Sequence, residues 1–280
     1  MLFYGIITRV TGWQNGGDGM RIYFLGTCSG TEPQKDRKHM SFAVECGGRI
    51  YWFDAGEGCS YTAHNMGIDL LKVNKIVISH PHMDHVGGLG NLLWNIRKLY
   101  RVRHRLPDAE NIDVFIPCLE TWEGLMMILR NTEGNFKIPY SITAHRTFEG
   151  VLFDDGYVTV TAFHNTHLEP VDGEWVSYSF LIECEGKRLV FSGDLGGYDD
   201  LDPVIGQGCD GLIAETGHFG VEHVHSYLDS LSQKGVNVGK VFFSHNGWDI
   251  MRDPADSAAR VESLFGDSGV ICYDGMTVDF

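Results

Sequence analysis

Thiol chemistry finds little support in this 280-residue sequence, whose seven cysteines, at positions 28, 46, 59, 118, 184, 209 and 272, form no CxxC pair. That spacing excludes a thiolate zinc site of the finger or ribbon type. An odd count without paired spacing also gives no disulfide framework, so a reducing cytoplasm is the expected setting. Positive charge is scarce as well. Lysine and arginine number 22 against 37 acidic residues, a formal net charge of −15, which works against nonspecific attraction to nucleic acid or anionic membrane. No stretch reaches the ~18 uninterrupted apolar residues of a membrane span. The N-terminus lacks the charged, apolar and cleavage segments of an export signal. Low-complexity tracts, linkers and repeats of about 20–50 residues are missing too, which excludes solenoids and arrays. What remains is a chain with 43% hydrophobic residues, ample material for a substantial core.

The stretch at 76–89, IVISHPHMDHVGGL, organises the rest. A β-branched run, Ile76, Val77 and Ile78, delivers His80, His82, Asp84 and His85 within six residues. Imidazole and carboxylate suit zinc and similar divalent ions, and residues two apart on a turn can converge on one ion while Asp84 and His85 face another. A lone histidine here would read as part of a solvated loop. Three with an aspartate, directly after a strand, read as half of a two-metal site.

Along the chain, residues 1–19 begin apolar and end in the turn-rich QNGGDG, which fits an N-terminal extension or edge strand, and Met20 is an alternative start. Residues 20–280 read as a single domain. Gly-punctuated β-rich runs follow from 21 to 53, and further strands are expected at 75–79, 112–116, 151–153, 157–163, 176–183, 188–192, 212–214 and 241–244. Helices are expected over 60–71, 90–103, 121–130 and 226–233. The cluster Arg101, Arg103, His104 and Arg105 reads as a solvated helix end that complements the helix dipole. Strands dominate both halves with helices among them, so the expected architecture is two sheets with helices outside.

Three later positions share the grammar of the first motif: a strand ends and a potential ligand sits at its tip. They are His167, Asp194 after RLVFSG, and His245 after KVFFS. Gly193 would permit close approach of the backbone to a bound ion.

With these pieces in place, the chain resembles the metallo-β-lactamase superfamily, in the branch of ribonuclease Z and related phosphodiesterases. The matching segments, in order over about 20–280, are LGTCSGTEP, FDAGEG, ISHPHMDHVGGL, TAFHNTHL followed by SYSFLIE, FSGDLG, IAETGH, FFSHNG and YDGM. The resemblance implies a four-layer αββα sandwich of two mixed sheets. It implies that His80, His82 and His167 bind one metal ion, that Asp84, His85 and His245 bind a second, and that Asp194 bridges both. His164 lies in the same segment as His167 and competes with it; the family's spacing favours His167, five residues after Ala162. Asp54 would orient the HPHMDH loop as a hydrogen-bond partner of the ligands. The implied cofactors are two divalent ions, zinc first, with manganese or iron admitted.

The chemistry expected of such a centre is hydrolysis of a small phosphodiester by a metal-bridging hydroxide that Asp84 orients or deprotonates. A proton for the leaving group would come from the cluster His218, His223 and His225. His225 is favoured, because ribonuclease Z-like enzymes carry a His-Ser element there and His225-Ser226 fits it. Glu215 is a further candidate.

Departures from the family pattern narrow the substrate. The chain has Ala214-Glu215-Thr216-Gly217-His218 where ribonuclease Z has His-Glu-Ala-Thr, and it lacks a Gly- and Lys-rich insertion for the tRNA elbow. With the charge of −15, this argues against tRNA and for a small molecule. The segment EPVDGEW, with Trp175, reads either as a pocket wall or as an ordinary surface loop. Rival readings are lactone, sulfate ester or thioester hydrolysis at the same site, and a non-catalytic metal-dependent binding protein. An iron redox enzyme is disfavoured, because flavodiiron relatives use Glu where this motif has His82. No membrane partner is expected, and a homo-oligomer is left open.

Overall fold

A computed structural model describes residues 19–132 and 134–280. The extension or edge strand expected over 1–19 therefore falls, but for Gly19, outside the described residues. In the strands, the period-two alternation of side chains separates two cores. Phe42, Val44 and Cys46 of the strand Ser41–Cys46 face one core while Ala43 faces another. Tyr51 and Phe53 divide from Ile50 and Trp52 in the same way along Arg49–Phe53. In the second half, Phe180 and Ile182 point into the shared core and Leu181 points away from it.

Two seven-stranded mixed sheets result. The first runs Thr277–Asp279, Arg21–Gly26, Ser41–Cys46, Arg49–Phe53, Val73–Val77, Asn111–Ile116 and Ser141–Arg146. The second runs Gly269–Ile271, Asn237–Asn246, Gly208–Thr216, Lys187–Phe191, Tyr178–Cys184, Val158–His164 and Gly150–Asp154. Their inner faces bury a largely aromatic layer. Phe42 stacks on Phe53 at 4.9 Å and meets Phe191 of the other sheet edge-on at 4.9 Å. Such pairs contribute ~0.5–1.5 kcal/mol beyond the area they bury.

Helices close both outer faces. Leu89, Leu92, Leu93 and Ile96 of Leu89–Arg103, with Trp122, Met126 and Leu129 of Leu119–Asn131, cover the first sheet. Val221, Val224 and Leu231 of Val221–Gln233, with Val261 of Pro254–Phe265, cover the second. This is the expected four-layer αββα sandwich.

Several details differ from the sequence expectation. The helix expected over 60–71 stops at Asn65 and resumes as a 3₁₀ turn at Leu70–Lys72, because Gly67, at φ 80°, takes a left-handed conformation that ends the helix. The helix expected from Ser226 already starts at Val221. The edge strand Ser141–Arg146 and the helix Pro254–Phe265 were not anticipated. Cys46 and Cys184, on strands of opposite sheets and 138 residues apart, are paired as a disulfide, a single bridge where the spacing indicated no disulfide framework. Among the described residues no helix is long and apolar enough to cross a membrane.

Candidate metal centre

Strands from both sheets end at one edge of the sandwich, and their tips carry the polar residues. Past Val73–Val77 the chain enters Ser79 and His80, then the short helix Met83–Val86, whose N-cap is His82. Asp54, just past Arg49–Phe53, is fully buried with a left-handed φ of 51°. Its carboxylate accepts from Ser79 N at 2.7 Å, from Ser79 Oγ at 2.8 Å and from His85 Nδ1 at 2.6 Å. Those bonds turn Nε2 of His85 outward. The Ser79 hydroxyl spends its one hydrogen on Asp54, so at 3.0 Å it accepts from His80 Nδ1, which leaves Nε2 of His80 as a bare lone pair.

The second sheet supplies the rest. Asp194 follows Lys187–Phe191, and His167 follows Val158–His164. His245 lies within Asn237–Asn246 at a bulge: Glu215 pairs with Ser244 and Thr216 with Asn246, so His245 is the extra residue, with φ 51°. Bulges of this kind re-aim a side chain, and a left-handed histidine carries strain of ~1–3 kcal/mol that the surrounding structure must hold.

Two donor groups form. In one, His80 Nε2 lies 3.0 Å and His167 Nε2 3.4 Å from His82 Nδ1, while Asp194 Oδ2 is 3.6 Å from His80 and 3.7 Å from His167. In the other, Asp194 Oδ1 is 3.3 Å from His85 Nε2 and 3.4 Å from His245 Nδ1, and Asp84 Oδ2 is 3.3 Å and 3.1 Å from the same two rings. Each group offers four ligand atoms within 4.8 Å of one another. Asp194 therefore presents a different oxygen to each.

The arrangement fits divalent cations on its own terms. His85 Nε2, His245 Nδ1 and Asp194 Oδ1 are buried without a hydrogen-bond partner among the described residues, yet they converge. Buried orphans of this sort are costly unless something binds them. Burial, with the neighbouring charge of His85, holds His80 well below the ordinary histidine value, so it keeps the neutral lone pair that a ligand needs. Burial would raise Asp84, but the hydrogen bond from His245 and the close imidazole of His85 hold its carboxyl well below the usual range. Burial likewise opposes the charge on His245, yet Asp194 with Asp84 and Glu215 pushes it up to about 9.

A third cluster adjoins these. Glu215, buried on the strand Gly208–Thr216, accepts from Leu195 N at 3.0 Å and His218 N at 2.9 Å. Both its oxygens lie 3.0 Å from His218 Nδ1. His218 is 42% exposed at its side chain, and its ring centre is 4.9 Å from that of His167 and 5.9 Å from that of His245. The bond to Glu215 raises the basicity of His218. Burial would raise Glu215, but the two imidazoles hold it down at about 2.

All seven expected ligand positions, His80, His82, Asp84, His85, His167, Asp194 and His245, thus meet in one place. His164 does not join them; it pairs with Glu149 at 2.5 Å and stacks on Trp175 at 4.3 Å. His225 is placed elsewhere too. It sits on Val221–Gln233 beside Asp229, 3.5 Å away, with its ring against Phe265, and His218 is the histidine of that segment beside the cluster. Gly193 serves another purpose than expected: at φ 58°, a Cβ there would lie 2.6 Å from Tyr178 O, so the close approach is to a neighbouring strand.

The family profile described as anti-Pycsar protein Apyc1 matches residues 20–245. Ribonuclease Z of Methanothermobacter thermautotrophicus is 31% identical over 150 residues, which are 53% of this chain and 45% of that protein. The chain spans about half the length of the curated relatives it matches. Among solved structures, the short form of human tRNase Z (ELAC1) superposes with a TM-score of 0.68 at 20% identity, covering 92% of this chain and 98% of that one. A diphosphatase of the PhnP family gives 0.63 at 16% identity, with 93% and 98% covered. At these identities the structures speak for a shared fold.

Proposed function

The chain belongs to the anti-Pycsar protein Apyc1 family, among the ribonuclease Z-like hydrolases of metallo-β-lactamase fold, and from that premise we propose that it hydrolyses a small phosphodiester with two divalent metal ions. The observation that carries the proposal is the division of Asp194, one oxygen to each of two four-atom donor groups. His80, His82 and His167 would hold one ion, Asp84, His85 and His245 the other. Nitrogen and oxygen donors without thiolate suit zinc, with manganese or iron as substitutes. When bound, such ions activate water near neutral pH and neutralise charge developing on the substrate.

The remaining work falls to the protein's own side chains. Asp84, held as a carboxylate, orients the nucleophile and takes its proton. His218, kept basic by Glu215 and open to solvent, gives a proton to the leaving oxygen. This role moves from His225 to His218, because only the latter adjoins the donor groups. Asp54 fixes the ring of His85, and Glu215 fixes that of His218. The curated relatives named for ribonuclease Z support phosphodiester chemistry. The net charge of −15 leaves a tRNA without the cationic field that polyanion binding needs.

The test is a panel assay of the purified protein with bis(p-nitrophenyl) phosphate, a cyclic mononucleotide, a lactone set and a precursor tRNA. Phosphodiester turnover that a chelator removes and zinc or manganese restores is the expected result. Turnover of lactones alone would sink the reading, and cleavage of tRNA alone would sink its small-substrate part.

A further inference from the structure

We propose that Asn165, Ser179 and Ser192 form one buried strut that sets His167 in register with Asp194; this rests on the assignment of both residues to the metal centre. His167 stands beyond the end of regular structure. The ladder between Val158–His164 and Tyr178–Cys184 runs from Val158 opposite Cys184 to His164 opposite Tyr178 and stops three residues short of His167. The strut begins there.

Asn165, Ser179 and Ser192 are all completely buried. Asn165 is anchored through its own amide, which donates to Ser177 O at 3.0 Å. Its side chain then spans two neighbours: Oδ1 accepts from His167 N at 3.3 Å, and Nδ2 donates to Ser179 Oγ at 3.0 Å. Ser179 Oγ donates to Ser192 O at 2.5 Å. Ser192 Oγ donates to Gly193 O at 2.7 Å and accepts from Glu215 N at 3.1 Å. The chain of bonds thus leads from His167 to the residue pair directly before Asp194, and on to Glu215.

The directions are forced. Ser179 has one hydroxyl hydrogen and gives it to a carbonyl, so its lone pair must receive from the Asn165 amide nitrogen. The amide oxygen is then left to receive His167 N. Flipping the amide would set its NH₂ against the His167 N–H. Every member is satisfied in one orientation only, which makes a rigid spacer out of three small side chains. The neighbouring tie is of another kind: Thr166 bonds Asp200 through N and Oγ1 at 3.0–3.1 Å at an exposed position, and Asp200 Oδ2 also accepts from Gly196 N at 3.1 Å, past Asp194 in the chain.

The role is positional, so metal affinity is the readout. Chelator-stripped protein is titrated with Zn²⁺ and the binding isotherm resolved into its steps, with the melting temperature of the stripped protein recorded alongside. Asn165→Ala and Ser179→Ala are each expected to weaken one ion roughly 10–100-fold, the range for lost outer partners of ligands, with the other step unchanged. Their double variant should bind no more weakly than Asn165→Ala, because the strut acts as a unit. Asn165→Asp keeps an acceptor for His167 N but sets a charged carboxylate oxygen against Ser179 Oγ in place of the donor, so it serves if the alanine variants do not fold; it too should weaken one ion. Thr166→Ala removes only an exposed hydroxyl from a tie whose backbone donor remains, so it should weaken neither step as much as Asn165→Ala does. Wild-type affinity at both steps in folded Asn165→Ala or Asn165→Asp, additive losses in the double variant, or an equal loss in Thr166→Ala would overturn the proposal. His167→Ala separates the two levels: if it keeps both ions, the ligand assignment has failed, whereas if it loses one and the strut variants lose none, the strut has failed.

Discussion

Asp194 and His82 differ in how much of the centre depends on them, and that difference can be measured. Asp194 gives one oxygen to each donor group, so Asp194→Ala should lose both ions and all turnover. His82 belongs to one group only, so His82→Ala should retain one ion while activity collapses; elemental analysis after dialysis distinguishes them, and two ions held by Asp194→Ala would refute the bridging role. For the proton donor, His218→Ala should lower kcat by ~10²–10⁴ on a diester with a poor leaving group and much less on a nitrophenolate, the signature of lost general acid catalysis. His225→Ala should behave as wild type; a leaving-group-dependent loss there would restore the original assignment. The cluster at 80–85 was legible because its residues lie together at one strand tip, and Asp194 and His245 because each follows a strand of β-branched and aromatic residues. The donor was not. His218, His223 and His225 look alike in sequence, and what separates them is where the helix starts: Val221 opens it, leaving His218 in the loop over Glu215 and turning His225 toward Phe265.

At the scale of elements, the turn between Gly150–Asp154 and Val158–His164 is tied to the opposite sheet. Asp155 accepts from Tyr51 Oη at 2.8 Å and from Arg49 at 3.0 Å, as well as from the amides of Tyr157 and Val158 at 3.2 Å. Burial alone would raise this carboxyl, but those donors hold it below the ordinary value of 3.8. A depressed carboxyl stabilises the fold fully above its unfolded value and loses that contribution as pH falls through the folded one. Asp155→Asn should therefore be less stable than wild type by about 1.5–3 kcal/mol near neutrality, with the gap closing in acid; urea unfolding at several pH values tests this, and a gap that widens in acid would contradict it. Elements such as Ser41–Cys46 and Arg49–Phe53 were legible as β-rich runs punctuated by glycine. Ser141–Arg146 was not, because it is an edge strand with no fully buried side chain, and edge strands lack the apolar alternation that marks a core strand. The pairing of Cys46 with Cys184 was equally hidden, since spacing along the chain says nothing of two strands 138 residues apart.

For the whole molecule, the expectation is metal-linked stability. Ions that bind the native state and not the unfolded chain add ~2.7 kcal/mol at a hundredfold excess over Kd. Thermal unfolding of the stripped protein should therefore move upward on adding zinc, in proportion to the logarithm of its free concentration. No shift with zinc would mean that the donor groups do not hold an ion in the native state. The layered architecture was legible in full outline, since it follows from counting strands and helices and from the order of the motifs. Which histidine faces the site and how the loops are held depend on long-range packing that no single stretch records.

His80, His82, Asp84 and His85 come from one sheet, and His167, Asp194 and His245 from the other. Neither half of the sandwich carries a four-atom donor group whole, so an ion bound there would also be a fastener across the core that Phe42 and Phe191 fill. Holding metal then reports on whether the two halves are together. In a variant weakened far from the site, in that aromatic layer for instance, zinc should become available to a chromogenic chelator on heating before helical and strand signals fade. The protein would stop being an enzyme while most of its secondary structure is still intact.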